Sequence, residues 1–407
     1  MPRFASPQSI LILLLAALAM LGPFSIDTVF PMFPEISRDL HVGNVEMQQT
    51  ISVYLFAYGL MALLHGPLSD ALGRKPVILW GTLIFAGASV GCALSTSIWQ
   101  LLFWRAVQGV SAGSGLIVGR AIIRDRFHGS DAQKVMSRIT MIFGIAPAIA
   151  PIIGGIVGTR LGWQAIFWLL AIFAVLVYVA CVKWLEESHE QSHRMPLQFA
   201  PLFGAYWRML NNRQFMLLTI SGCFNFGAQF IYIASAPVFI MNILGYGPHD
   251  FWRFFIPMIL GMMTGAWMSG KRAGRSFPAA TIRLAYIIMI AAGVANLVYC
   301  LYAPRMEWPW AVLSVFGNGV GVALAFPTLT LMLLDLYPHE RGTASSLQSF
   351  TSLMLNAVIA GVISPFLAHS AAHLAIGALC STLLGLAAWL LYRHVSGNVA
   401  PGEQAAS

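Results

Sequence analysis

Long apolar stretches alternate with short polar ones along the whole chain. A helix needs about 20 apolar residues to cross the hydrocarbon core of a bilayer. The pattern predicts twelve such helices, near residues 9–30, 46–65, 76–95, 99–122, 135–158, 163–183, 214–240, 251–270, 278–302, 309–334, 342–367 and 371–392. The chain is therefore predicted to be an all-α membrane protein that crosses the bilayer many times.

The composition agrees with this prediction. Hydrophobic residues make up 58% of the 407 residues and charged residues only 9%, whereas soluble domains carry about 25% charged residues. The net charge of +8 comes from loops between apolar stretches, so it does not indicate nucleic-acid binding. The five cysteines lack metal-ligand spacing, and we expect neither a disulfide nor a metal site.

The basic residues predict the orientation. If the N-terminus is cytoplasmic, most of the 23 Lys and Arg residues lie inside, and the exceptions are Arg38, Arg160, Arg253 and Arg305 outside, with Arg105 and Arg120 within a helix. Cytoplasmic loops of membrane proteins carry this excess. Both termini are therefore predicted to be cytoplasmic, and the first apolar run is interpreted as a helix because it is too long for a signal peptide.

The apolar pattern divides into two halves of six helices. The predicted parts are an N-terminal bundle (1–183), a cytoplasmic linker (184–213), a C-terminal bundle (214–394) and a cytoplasmic tail (395–407). The linker is polar and then aromatic, which allows a short interfacial helix; its residues include Glu186, Glu187, His189, Glu190, His193, Arg194, Tyr206 and Trp207. A weak internal repeat supports the division, since Gly109 and Gly113 recur as Gly317 and Gly321.

Asp27 is an acidic residue near the outer end of the first predicted helix. A carboxylate inside a bilayer is costly and by default marks an ion or substrate pathway; the alternative is a position in water at the outer interface. Pro31 and Pro34 are predicted to end this helix irregularly. Should Asp27 not be the titrating group, Asp335 and Glu35 are the next candidates.

Arg105 is the predicted partner of Asp27, because both fall in the outer half of their helices. An arginine keeps its charge, so Asp27 would be the member of the pair that gains and loses a proton. The alternative is a structural ion pair between two helices. Arg120 lies nearer the cytoplasm, where it either extends its side chain to the interface or joins Arg124 and Asp125 in a latch with Asp70 and Arg74.

Polar residues at helical spacing predict a substrate cavity. Asn225, Gln229 and Tyr232 share one face of the seventh helix, and Tyr54 and Tyr58 share one face of the second. Buried amides need hydrogen-bond partners, so these faces should look into a cavity or, alternatively, bond to a neighbouring helix. The G-x-S-x-G match at 109–113 is not interpreted as an enzyme site, because that chemistry requires a strand before the turn.

Three stretches carry a family resemblance. Residues 66–76 (GPLSDALGRKP) fit the pattern G-x-L-x-D-x-x-G-R-K-P between the second and third helices of the major facilitator superfamily. Gly66 and Gly73 are predicted to permit tight turns there. Residues 102–109 resemble the fourth-helix motif, whose arginine is linked to proton coupling. Pro147, Pro151, Gly154 and Gly155 resemble the antiporter motif G-P-x-x-G-G, with Ala150 in place of its first glycine.

Residues 66–76 and 102–109, together with the first helix and its following prolines, Arg120 to Asp125 and residues 162–167, resemble the Bcr/CflA drug-resistance branch of that superfamily. The resemblance implies the major facilitator fold and proton-coupled export of small amphipathic molecules, such as phenicols or bicyclomycin-like drugs, across a bacterial inner membrane by alternating access. It implies no cofactor beyond the coupling proton, a lipid bilayer and a small molecule as partners, and a monomer. The alternatives are a nucleoside or amino-acid exporter, an uptake symporter, and a receptor or scaffold that transports nothing.

Overall fold

The chain is helical in a computed structural model that describes residues 7–127, 129–189, 191, 194, 197–272 and 277–397, with the backbone only at 129–134, 137, 140, 141 and 143. In chain order its helices are α1 (Pro7–Asp27), α2 (Phe33–Asp39), α3 (Asn44–Leu72), α4 (Arg74–Ala93), α5 (Ile98–Arg126), α6 (Gly129–Leu161), α7 (Gln164–Trp184), α8 (Phe199–Asn211), α9 (Arg213–Ala234), α10 (Trp252–Arg272), α11 (Pro278–Tyr302), α12 (Trp310–Asp335), α13 (Arg341–Val358), α14 (Ser364–Leu367) and α15 (Ala371–Gly397). Short 3-10 and π-helical turns follow α1, α9 and α13.

Each predicted apolar run coincides with a helix. Within the described ranges, eleven helical stretches are long and apolar enough to cross a membrane. The eighth run forms α10, which is not one of the eleven. Basic residues near both of its ends, Arg253 and Lys271, shorten its uncharged stretch.

One compact unit comprises Met1–Gln198 and Tyr246–Phe255. Its helices α3, α4 and α5 pack on one another, and α1 packs on α5, α6 and α7. The added segment is strongly aromatic: Phe251, Phe254 and Phe255 are fully buried, and Phe255 stacks on Phe30 with ring centroids 6.3 Å apart. This segment falls within the range predicted for the C-terminal bundle, but by its contacts it belongs to the N-terminal unit.

The second compact unit comprises Phe199–Gly245 and Ile256–Ser407. Helix α9 packs on α12 and α15, and α11 packs on α12 and α15. The predicted linker helix is α8, which buries Ala205, Tyr206 and Met209. Glu190 and His193 of the linker and residues 398–407 of the tail lie outside the described residues.

The predicted loop at 66–76 is almost entirely helical, so that expectation is wrong. Helix α3 continues to Leu72 and α4 begins at Arg74, which leaves Gly73 alone between them with φ +99°. Gly66 lies inside α3, and an added side chain there would meet open space. Charged residues end an apolar run without ending a helix, because their side chains reach water while the backbone hydrogen bonds continue. Only Gly73, whose positive φ other residues rarely adopt, ends α3.

The end of the first span is irregular, as predicted. Helix α1 stops at Asp27, and a 3-10 turn at Phe30–Met32 leads into α2. Pro31 and Pro34 occupy the first turns of these two elements, where a missing N–H is tolerated.

Candidate functional site

Asp27 is the last residue of α1 and is only 5% exposed. Within the described part of the chain, its carboxylate has no hydrogen bond and no ion pair. The hydroxyl groups next to it bond to backbone carbonyls of the preceding turn instead. The Ser25 hydroxyl donates to the Gly22 carbonyl at 2.9 Å, and the Thr28 hydroxyl donates to the Phe24 carbonyl at 2.6 Å. Asp27 is therefore a buried acid that the surrounding protein leaves free.

Arg105 of α5 is a second buried charge, 2% exposed. Its guanidinium donates to the Ser25 carbonyl at 3.0 Å, the Thr50 carbonyl at 3.3 Å and Gln108 Oε1 at 2.8 Å. It also lies 4.4 Å from the centre of the Tyr54 ring. Neutral acceptors and an aromatic face therefore hold this cation in place.

The predicted contact between Asp27 and Arg105 is not an ion pair in the described structure. Arg105 instead binds the backbone of α1 at Ser25, two residues before Asp27. The planar guanidinium has donors in several directions, and the carbonyls of Ser25 and Thr50 and the amide of Gln108 occupy them. Arg105 thus contacts the last turn of α1 without forming an ion pair with Asp27.

The two predicted substrate tyrosines differ in exposure. Tyr54 is fully buried, and its hydroxyl donates to the Gly22 carbonyl at 3.2 Å. Tyr58 is half-buried and meets Tyr54 edge to face at 6.3 Å. Gly109 of α5 allows the close approach, since a Cβ there would collide with the Tyr54 carbonyl. Tyr54 thus joins α1, α3 and α5, and Tyr58 is the member with access to the surface.

The three predicted residues of α9 all lie in the interior of the C-terminal unit. Asn225 donates to Met289 Sδ at 3.1 Å, and the Tyr232 hydroxyl accepts from Asn296 at 2.6 Å. Gln229 is fully buried, and neither amide atom has a partner among the described residues. Hydrogen bonding to α11 therefore accounts for two of the three. Their role as substrate contacts stays a prediction.

The predicted latch contains Asp70, Arg74 and Asp125. Arg74 is nearly buried; it pairs with Asp70, donates to Asp125 Oδ2 at 3.1 Å and reaches the Ser69 hydroxyl at 2.7 Å. Arg120 and Arg124, which were expected to take part, form no ion pair within the described ranges, so that part of the expectation is wrong. Both are exposed on α5, and among the described residues it is Arg74 that connects the two carboxylates.

Glu187, which sequence reasoning did not single out, completes this network. Its carboxylate accepts the backbone N–H groups of Arg74 and Lys75 at 3.0 and 3.2 Å, and it also lies 3.8 Å from Arg194. A carboxylate there satisfies free donors of the first turn of α4 and complements the helix dipole. Ser188 adds a hydrogen bond to Asp125 at 2.9 Å. The chain that follows α7 is thereby tied to the ends of α3, α4 and α5.

The glycines of the predicted antiporter motif lie at close contacts in α6. A Cβ at Gly154 would collide with the Thr28 carbonyl, and one at Gly155 would lie 2.5 Å from the Pro248 carbonyl. Pro147 and Pro151 lie inside α6, which continues through both. Gly154 thus places α6 directly against the residue that follows Asp27.

These features define a helical membrane protein with a buried acid, Asp27, a buried cation held by neutral groups, Arg105, and a charged network around Arg74 where α3 ends and α4 begins. A family model described as Major Facilitator Superfamily matches residues 13–361. The chain belongs to this superfamily of transporters, and it is a multi-pass membrane protein.

Bacterial relatives align over most of their lengths. An uncharacterized MFS-type transporter, YdgK, of Bacillus subtilis is 30% identical and covers 86% of this chain and 87% of its own. A bicyclomycin resistance protein homolog of Haemophilus influenzae is 27% identical over 89% and 91%. Multidrug resistance protein D of Escherichia coli is 28% identical over 83% and 84%.

Solved structures support the fold. A bacterial homolog of the human lysosomal transporter Spinster matches with a TM-score of 0.74 at 16% identity, over 98% of this chain and 100% of that one. A D-xylose-proton symporter matches with a TM-score of 0.73 at 14% identity, over 95% and 97%. At these identities the likeness concerns the fold alone.

Proposed function

We propose that this protein is a proton-coupled exporter of small amphipathic molecules, including drugs, in a bacterial inner membrane. The family membership and the resistance proteins among its relatives support this. The observation that carries the proposal is the pair of buried charges: Asp27 has no protein partner, while neutral groups hold Arg105.

Asp27 acts as the proton carrier. Facing the outer side, its carboxylate takes up one proton and becomes a neutral acid, and the substrate leaves. Facing the cytoplasm, the acid releases that proton as a substrate binds. Arg105 does not exchange protons; it keeps a fixed positive charge that is bonded to the α1 backbone at Ser25, two residues before Asp27.

Tyr58 is the best-placed of the predicted substrate contacts, because it is half-buried and contacts Tyr54, whose ring lies against Arg105. The Arg74 network biases the conformational equilibrium without touching substrate. In this proposal the protein acts as a monomer with both termini in the cytoplasm and catalyses no covalent chemistry.

The test uses everted membrane vesicles that contain the protein and carry a proton gradient. A substrate panel should discharge part of the gradient in wild type, and Asp27→Asn should discharge none while still binding neutral substrates. Asp39→Asn is the control, because Asp39 is exposed and its contact with Trp163 Nε1 at 2.9 Å survives in an amide. Export by Asp27→Asn at the wild-type rate would exclude Asp27 as the proton carrier.

Substrate-driven proton release gives a second readout. Binding to the wild type should release a proton into weakly buffered solution, and binding to Asp27→Asn should not. Gradient-driven accumulation in whole cells, without discharge in everted vesicles, would instead indicate uptake by symport. A panel that includes nucleosides and amino acids separates a drug exporter from a metabolite exporter.

A further inference from the structure

Several buried polar atoms of the C-terminal unit have no hydrogen-bond partner among the described residues. Gln229 lacks partners for both amide atoms, and Asn225 Oδ1 and Asn318 Oδ1 also lack partners, among the residues that the structure describes. All three side chains are at most 2% exposed. Buried polar groups are almost always hydrogen-bonded, and a group left without a partner destabilises the fold.

Hydrogen bonds between α9 and α11 show which residues of these two helices lie side by side. Ser221 bonds Tyr286, Asn225 bonds Met289 and Tyr232 bonds Asn296, with sequence separations of 65, 64 and 64. The same separation puts Gly293 opposite Gln229. Since glycine has no side chain, α11 offers Gln229 no polar partner.

Contacts at the glycines of α9 and α12 show which part of α12 lies beside Gln229. Gly222 of α9 lies against the Phe326 ring, and Gly321 of α12 lies against Met289, the partner of Asn225. The two helices run in opposite directions with equal rise per residue. Moving along α9 from Gly222 to Gln229 therefore leads back along α12 from Phe326 to the position next to Asn318.

Gln229 and Asn318 thus lie at the same level of α9 and α12, and no hydrogen bond joins them. Polar groups that face each other beyond bonding distance are commonly bridged by water, and a buried water typically makes about three hydrogen bonds to such groups. We propose that Gln229, Asn318 and Asn225 Oδ1 form a binding site for ordered water in the middle of the C-terminal unit. The amides then serve the interior of the unit and not the substrate cavity predicted for Gln229. This site does not depend on the proposed transport function.

Radiolytic hydroxyl labelling of the wild-type protein in detergent tests the site, because Met289 borders it. Hydroxyl radicals form from water itself, so a buried methionine beside bound water should be oxidised measurably faster than an equally buried one without it. Met258 of α10 is the control, since it is 2% exposed and only its backbone carbonyl is recorded near α12, at Gly319. Equal, slow labelling of Met289 and Met258 would overturn the proposal.

A double variant separates bound water from bulk solvent. Gln229→Leu with Asn318→Leu removes the polar atoms, so labelling of Met289 should fall to the level of Met258. Asn356→Leu on α13, another buried amide with an unpaired oxygen, should leave Met289 labelling unchanged. If the double variant does not fold, Asn318→Leu alone should lower the labelling. Undiminished labelling in a folded variant would show that solvent reaches Met289 by another route, and the water site would be wrong.

Discussion

Arg74 and Asp125 join the start of α4 to the end of α5, with Arg74 Nε 3.1 Å from Asp125 Oδ2. The contact is largely sheltered: the Arg74 side chain is 8% exposed and that of Asp125 22%, whereas Asp70, the other carboxylate on Arg74, is 51% exposed. This asymmetry distinguishes two acids that look alike in the sequence.

Asp125→Asn should therefore destabilise the protein more than Asp70→Asn. Removing a sheltered, charge-assisted hydrogen bond costs about 1–3 kcal/mol, whereas an exposed ion pair contributes about 0–1 kcal/mol. Thermal unfolding of the two purified variants measures the difference. Equal shifts would mean that the exposure of the two acids does not decide their contribution.

Asp70→Asn should act on transport instead. If Asp70 contributes to the conformational equilibrium, its loss lowers the turnover rate and leaves substrate affinity nearly unchanged. Binding and transport assays on the same preparation separate the two quantities. A change in affinity with normal turnover would refute the latch.

Glu187→Gln should lower the melting temperature clearly more than Glu186→Gln. Glu187 satisfies two backbone donors of α4 and loses its attraction to the helix N-terminus when neutralised, an effect of about 0.3–1 kcal/mol before the contact with Arg194 is counted. Glu186 is the matched control, because its side chain is 80% exposed and, among the residues that the structure describes, pairs with Arg126. Indistinguishable melting curves for the two variants would contradict the capping role.

Gly154→Ala should be damaging and Gly144→Ala tolerated, although both replace a glycine within α6. The added methyl group at position 154 collides with the Thr28 carbonyl, and overpacking of this kind costs about 1–3 kcal/mol. A methyl group at 144 meets open space and gains helix propensity. We expect the first variant to lose transport as well, because Thr28 follows Asp27; full activity would show that α1 can shift without disturbing the acid.

Arg105→Lys should reduce transport at least about tenfold, although the charge is retained. A single ammonium cannot reach the Ser25 carbonyl, the Thr50 carbonyl and the Gln108 amide at once. Tyr54→Phe is the comparison, because it removes the hydrogen bond to Gly22 and keeps an aromatic face for the guanidinium. Initial rates of gradient-driven export measure both, and a lysine variant with normal rates would show that charge alone suffices.

Local chemistry made much of this molecule predictable. Apolar runs long enough to span a bilayer must form helices, because a backbone in lipid has to bond to itself. The prolines after Asp27 interrupt the helix for an equally local reason, and the linker helix α8 follows from its own residues. Even Asp27 could be singled out, since an acid in an apolar run is rare and costly.

Contacts between distant parts of the chain were decided only by tertiary structure. Gly109 and Gly113 face Tyr54 and Tyr58 of α3, whereas Gly317 and Gly321, their counterparts in the repeat, face Ala292 and Met289 of α11. Spacing shows which residues share a face of one helix, but not which neighbour that face meets.

Charge pairing depended on tertiary structure for the same reason. Arg105 bonds to backbone carbonyls and an amide instead of Asp27, and Glu187 reaches α4 from more than a hundred residues away in the chain. Carbonyl groups are present at every residue and leave no mark in a sequence. Which of them a buried guanidinium meets is settled only when the helices pack.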